Sequence, residues 1–519
     1  MKKLILAGLA CGMFASAFAG GLLTNTNQSV HFLRNPARDA STEIDAAYTN
    51  PAGLSKLPTD GFHFSFTNQS AFQTRTITST FGNSTANIYP FSGFGGNPEK
   101  VFKGEAAAPI VPSLQGAYKK GKWVLSGNLA ITGGGGKATF NHGLPSFEAP
   151  VSLLPYSVSG NQYSVDSYMQ GKQFIFGGQL GGTYQINEMF SVYAGFRMNV
   201  VSSSYNGYLH NIETNPGGGN MVNAYNYFNQ NAIAAQGIAD MLKPANDGGY
   251  GTYTLNQLVA YGMLSQPEAD QLAGRLGMSP DVATVSQVYG GYTSLAEAAQ
   301  KGADKTKDKD LDCEQSGWGI TPILGFNFSW NKLNIGVKYE FMTNLNVENK
   351  TKINTTGVAA YDDGINTPHD IPALLTIGAQ YDIIPSVTVS CGYHHFFDSD
   401  AKMADNKQEY INGGINEYLL GAEWRIDNMF LVSAGGQITR TGVTDAYQTD
   451  MSFSLNSYSI GFGGAVNVSP SVRINIGYFF TNYEDWTKKY ENYADSGMPG
   501  KDIFSRTNKV FGAGVDFRF

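Results

Sequence analysis

Cysteine, histidine, charge and long apolar runs are all scarce in this chain. The three cysteines, Cys11, Cys313 and Cys391, are too few and too far apart for a disulfide framework or a metal-ligand pattern. Cys11 is expected to leave with an export leader. Cys313, in a charged loop, and Cys391, in a strand, are expected to be free thiols. Among seven histidines the only adjacent pair is His394-His395, and a strand would point these to opposite faces, away from a shared metal. Charged residues are 15% of the 519 and the net charge is -7, so there is no basic footprint for nucleic acid. No HExxH, phosphate loop or nucleophile elbow occurs. No enzymatic activity, cofactor or metal is therefore expected. Beyond residue 19 no apolar run approaches the ~18 residues that a membrane helix needs. An exported chain of this kind is either soluble or a β-barrel.

Glycine and aromatics are abundant instead: 62 Gly, 32 Phe and 29 Tyr. Few charges and many aromatics suit a sheet that faces lipid, where charge is penalised. Residues 1–19 read as a secretory signal, with Lys2 and Lys3, an apolar core and Ala17-Phe18-Ala19 before the cleavage point. Residues 20–58 are rich in small residues and have no strand period; they are expected to form a plug. From residue 59 to 519 the chain breaks into about fourteen alternating segments of roughly ten residues, the dyad pattern of an outer-membrane barrel. In one of them Val192, Ala194, Phe196, Met198 and Val200 share a face, and Tyr193, Gly195, Arg197 and Asn199 share the other.

Connection lengths alternate as well. Tight links fall at Lys119-Lys120-Gly121, Asn187-Glu188, Asn331-Lys332, Ile384-Pro385, Asp427-Asn428 and Ser469-Pro470. Longer ones span 78–108, 134–171, 210–317, 349–368 and 485–506. Short inner turns and long outer loops are the habit of barrels. The last segment puts Phe511, Ala513, Val515, Phe517 and Phe519 on one apolar face. The fold expected is an all-β transmembrane antiparallel barrel with an N-terminal luminal plug. The outer loop at 210–317 is expected to carry helices over 222–242 and 254–276, either to shelter apolar ligands or only to pack on its neighbours. The charged run at 301–312 has lysines where calcium ligands would stand and lacks a final Glu, so it reads as solvated.

Strand parity sends Arg197, Lys338, Glu340, Glu423, Arg425 and Arg473 to the interior. Mixed signs point to a salt-bridge network; the sharper alternative makes Arg197 and Lys338 a site for an anionic head group. Gly133, Gly134, Gly135 and Gly136 follow the third alternating segment. Such a run is either a loop start or a break in the ladder.

The plug ends in Tyr48-Thr49-Asn50-Pro51-Ala52-Gly53-Leu54, and with this strand count the chain resembles the FadL/TodX family of outer-membrane transporters for long-chain fatty acids and other hydrophobic compounds. Trp318-Gly319, after the helical loop, and the 366–372 stretch before the eighth strand carry the resemblance further. It implies residence in the outer membrane, no cofactor and a monomer. It also implies capture of a hydrophobic small molecule at the outer loops, passage to an apolar luminal pocket and movement of a plug bearing Asn50, Pro51 and Ala52. Exit is then sideways into outer-membrane lipid through a gap at Gly133, Gly134, Gly135 and Gly136. The chain departs from the pattern at Val201-Ser202-Ser203-Ser204-Tyr205, where fatty-acid-binding members can carry an arginine and this sequence has no cation. A general porin, and an adhesin using the outer loops to bind cell-surface proteins, are the competing readings.

Overall fold

The computed structural model describes residues 22, 29–92 and 98–519; the signal at 1–19 lies outside them. Fourteen antiparallel strands close into one barrel. The first four are Gly61–Phe81, Glu99–Lys120, Trp123–Phe140 and Tyr163–Gln185. The fifth, Phe190–Thr214, leads through the long outer loop to the sixth, Lys309–Trp330. The seventh (Leu333–Glu340 and Asn346–Asn354) and eighth (Asn366–Pro368 and Leu374–Ile384) are each broken in two. Val387–Phe396, Asn416–Arg425, Phe430–Arg440 and Ser457–Ser469 follow, then the thirteenth in two pieces, Val472–Tyr483 and Trp486–Tyr490. The fourteenth, Gly500–Arg518, pairs with the first, and Phe62 and Phe519 exchange both backbone hydrogen bonds to close the ring.

All six tight links fall where the alternation places them. The outer loops are shorter than their sequence estimates because the strands run on. The fifth has 25 residues, far more than the ~10 that cross a bilayer. In its far half Tyr205, Leu209 and Ile212 are buried on the inner face while the outer face carries Asn206, Tyr208 and His210, so the outward apolar pattern fades while the hydrogen-bond ladder continues. For the same reason Cys313 lies buried in the sixth strand opposite Tyr205, not in a loop. Cys391 is exposed in the ninth.

The outer wall carries exposed apolar side chains, among them Phe64, Leu129, Phe196, Leu324, Ile460 and Ile476. A wall of this kind favours lipid over water by about 25 cal/mol for each Å² covered. Trp123, Trp330 and Trp424 stand exposed beside the tight turns. They mark one interfacial girdle, where amphipathic rings are favoured. No helix among the described residues is long and apolar enough to cross a membrane.

The long loop holds two 22-residue helices, Ala224–Ala245 and Val285–Thr306, and two short ones, Leu255–Ala260 and Gln266–Arg275. Thr254 with Gln257, Ser265 with Glu268 and Thr284 with Gln287 form capping boxes at three of the starts. Leu242, Leu258, Leu272, Val288 and Tyr292 build a core separate from the barrel. Val285–Thr306 lies outside the helical ranges read from sequence; it packs through Ala296, Gly302 and Ala303, small residues that give little hydrophobic contrast.

Candidate functional site: a plugged lumen with an interrupted wall

Residues 29–57 fill the barrel and are almost wholly buried. A short helix, Val30–Arg34, is capped by Ser29 and packs on the twelfth to fourteenth strands. Ala46–Thr49 and the 3-10 turn Pro51–Lys56 rest on the opposite wall. The plug backbone lies directly against wall glycines. A Cβ at Gly336 would overlap the Asp39 carbonyl, one at Gly421 the Asn35 side chain, and one at Gly461 the Leu33 carbonyl.

Asn50, Pro51 and Ala52 each bind the wall. The Asn50 amide donates to Asn327 Oδ1 at 2.7 Å, and the Pro51 and Ala52 carbonyls accept from Thr183 and Ser191, both at 2.8 Å. Pro51 opens the 3-10 turn, where its missing N–H costs nothing. The earlier Asn35-Pro36-Ala37 is also seated: Asn35 donates to Ser390 at 3.2 Å. Nothing in the local pattern signals that this second copy meets the ninth strand.

Ionic contacts join plug to wall in three places. In the first, Arg34, with no exposure, pairs with Glu423 and Glu43 meets Arg473 at 2.6 Å, while Arg38 reaches Glu423 at 3.2 Å and grips Asp45 within the plug at 2.7 Å. Burial opposes the Asp45 charge, but Arg38 outweighs it and holds the carboxyl below its ordinary range. His31, Glu43 and Asp45 bring ligand-type atoms within 4.8 Å, yet the His31 nitrogens face Ser29 and Asp516, and the two carboxylates face arginines. These groups form an ion-pair cluster. On another wall His394 lies 2.8 Å from both Asp39 of the plug and Glu417. The ring thereby bridges plug and wall.

Arg197 and Lys338 belong to the third contact. Glu340 accepts from Arg197 at 2.6 and 3.0 Å and from Lys338 at 2.7 Å. Arg197 also donates to Gln179 at 2.7 Å, and Lys338 to the Tyr48 carbonyl at 2.8 Å. Both cations lie 4.8 Å from the centre of the Tyr48 ring. Of the two readings of these charges, the geometry is that of a salt-bridge network, and it clasps the plug beside Asn50. Of the other charges sent inward by parity, Glu423 and Arg473 join the separate cluster around Arg34, Arg38 and Glu43; Arg425 lies exposed at the inner rim, donating to the Pro385 carbonyl.

The wall is interrupted at one side. Pairing between the second and third strands stops at Ala106–Ala138 and resumes only at Leu114–Leu129. The third strand bulges against the fourth between Ile131 and Gly136, with Gly134 at φ +98° and Gly136 at φ +75°. Facing them, the second strand carries Pro109 and Pro112, which have no N–H for the ladder. Those prolines were the unused sequence signal for the break. Gly133, Gly134 and Gly136 line a luminal cavity of about 1700 Å³ of atom-free space, solvent at its mouths included. Gly135 lies between them, and the strand runs on to Phe140, so this run is a break within a strand and not the start of a loop. Phe32 and Leu33 of the plug form part of the cavity wall, with Phe453, Phe479 and Val510 among its other apolar sides.

No family model matches the chain, and neither does any curated protein. Among solved structures, a Pseudomonas aeruginosa FadL homologue matches over 96% of this chain and 100% of that one, with TM-score 0.58 and 12% identity. The fold is FadL-like. The toluene transporter TodX of P. putida aligns over 92% of this chain and 94% of its own, with TM-score 0.47 and 14% identity. The toluene transporter TbuX of Ralstonia pickettii aligns over 95% and 99%, with TM-score 0.45 and 13% identity. The assignment of the FadL-like fold rests on the first of these.

Proposed function

We propose that this protein is an outer-membrane channel, without enzymatic activity, for the uptake of long-chain fatty acids or other hydrophobic molecules. The observation that carries the reading is a cavity with apolar and polar sides inside a plugged barrel that reaches the one stretch where the second and third strands do not pair. Ligand is captured among the outer loops, enters the cavity against Phe32 and Leu33, displaces the plug and leaves sideways past Gly133, Gly134 and Gly136. Each buried methylene contributes about 0.8 kcal/mol to capture. A lateral route spares an apolar solute the crossing of a water-filled pore. The likeness in fold to the FadL homologue supports the reading by analogy.

A general porin needs an open polar lumen, and the seated plug speaks against one. The self-cored helices of the long loop, with Ile233, Tyr261 and Val282 exposed, favour a second role as an adhesive surface for a cell-surface protein. Native mass spectrometry of protein expressed with mixed fatty acids and neutral hydrocarbons tests the main reading. The expected result is a retained apolar ligand that a variant lacking residues 29–57 does not hold. High conductance with no retained ligand would make the protein a porin instead.

A further inference from the structure

Five cations at the inner rim stand beside exposed aromatic side chains. Lys119 follows Tyr118, Lys122 precedes Trp123, Lys332 comes two residues after Trp330, Arg425 follows Trp424, and Arg518 lies between Phe517 and Phe519. None of the five makes an ion pair among the described residues. Each donates instead to a backbone carbonyl: Lys119 to Leu57 at 2.6 Å, Lys122 to Ile186 at 3.4 Å, Lys332 to Ile383 at 3.2 Å, Arg425 to Pro385 at 3.3 Å, and Arg518 to Pro470. Three acids of the same rim are engaged by backbone or hydroxyl groups. Asp60 accepts from Gly121 at 3.0 Å, Asp382 from Thr388 at 2.5 Å, and Asp427 from Met429 and Phe430 at 2.7 Å. Inside the barrel, by contrast, Arg197 and Lys338 share Glu340, and Arg473 meets Glu43.

A bond to a neutral carbonyl leaves the charge uncancelled and most of the N–H donors unused. Long basic side chains beside interfacial aromatics hold their heads at the level of the lipid head groups. Phosphate oxygens at that level accept charge-assisted hydrogen bonds. The five cations stand at the inner ends of the second, third, seventh, tenth and fourteenth strands, spread around the barrel. A ring of this kind fits an annulus of lipid, whereas a docked protein would meet one patch. A zwitterionic head group brings a cation of its own towards the ring; an anionic one does not. Beside Arg425 the outer wall also carries a groove of about 740 Å³ of atom-free space, open solvent included. It runs between Trp424 and Phe462 over Ala422, Val432 and Ala434, and these side chains face outwards. Ala422 and Ala434 are paired in register, so the floor is low where an acyl chain would lie.

We infer that the inner rim is a binding collar for anionic phospholipid. Lys119, Lys122, Lys332, Arg425 and Arg518 take the head-group phosphates, and the groove beside Arg425 takes one acyl chain. This rests on the outer-membrane residence proposed above and is independent of what the lumen carries.

The test reconstitutes the full-length protein in phosphatidylcholine vesicles and reads quenching of Trp123, Trp330 and Trp424 by lipids with brominated chains. Brominated phosphatidylglycerol should compete for the wall about fivefold better than brominated phosphatidylcholine, the effect of one basic side chain at a charged surface. Salt at about 0.5 M should weaken that preference by screening. The combined variant Lys122→Gln, Lys332→Gln, Arg425→Gln and Arg518→Gln should bring the ratio close to one, while quenching by phosphatidylcholine stays at the wild-type level. Lys122→Arg with Lys332→Arg keeps the charges and should keep the preference. Equal quenching by the two lipids in wild type, or a glutamine variant that retains the preference, would overturn the inference. Absence of a lipid preference together with binding of poly-L-glutamate would overturn it in favour of an acidic protein partner. If neither lipid quenched the tryptophans, the outer-membrane reading would fall and this inference with it.

Discussion

Glu340 is the group whose removal should most directly unseat the plug. It is 5% exposed and accepts hydrogen bonds from both Arg197 and Lys338, whose charges lie on either side of Tyr48. In Glu340→Ala the two cations keep each other's repulsion and lose their only carboxylate among the described residues. Removing one partner of a buried pair costs about 3–5 kcal/mol because the remaining charge is uncompensated. At about 1.4 kcal/mol per tenfold, that is roughly two to three and a half orders of magnitude in the equilibrium for seating the Tyr48 segment. Planar-bilayer recording should show a leak in Glu340→Ala that is absent from wild type, together with a lower melting temperature. Replacing all three charges by methionine should restore both, since a buried triad exchanged for apolar groups of like volume is often neutral or stabilising. A tight, normally melting Glu340→Ala would refute the view that this triad latches the plug.

Ala108→Leu should fill the wall break from the second strand without straining a left-handed glycine, as Ala108 lies 3.6 Å from where a Gly136 Cβ would stand. Uptake of a hydrophobic substrate should fall at least tenfold with unchanged melting; unaltered uptake would exclude the lateral route. Ile476→Lys, on the outer face of the thirteenth strand, should cost about 2–4 kcal/mol in a bilayer, read as a lower urea midpoint in vesicles. Asp398 lies in the outer loop between the ninth and tenth strands, and burial raises its carboxyl to about 7. The folded loop thus holds a proton that the unfolded chain releases near its ordinary value of 3.8. Its stabilising share is complete below that value and is lost as pH rises towards 7. Proteolysis of this loop should be faster at pH 7.5 than at pH 5, and Asp398→Asn should abolish the difference.

The barrel was legible in the sequence because period-two alternation and short turns are local features. Val192 to Val200 and Leu333 to Glu340 face as their parity dictates, and each tight link joins neighbouring strands. The plug was legible as a stretch without a period ahead of the first strand. Its contacts were not. That Arg197 and Lys338 close on Glu340 and Tyr48 depends on register between the fifth, sixth and seventh strands, and on plug residues nearly 300 positions away. That Arg518 stands in one rim with Lys119 depends on closure of the ring, which brings the first and last strands together. One-dimensional pattern fixes which face a side chain takes, because the pleat alternates residue by residue. Which charges meet there, and which are left without an acid, is settled only when the sheet closes around the plug.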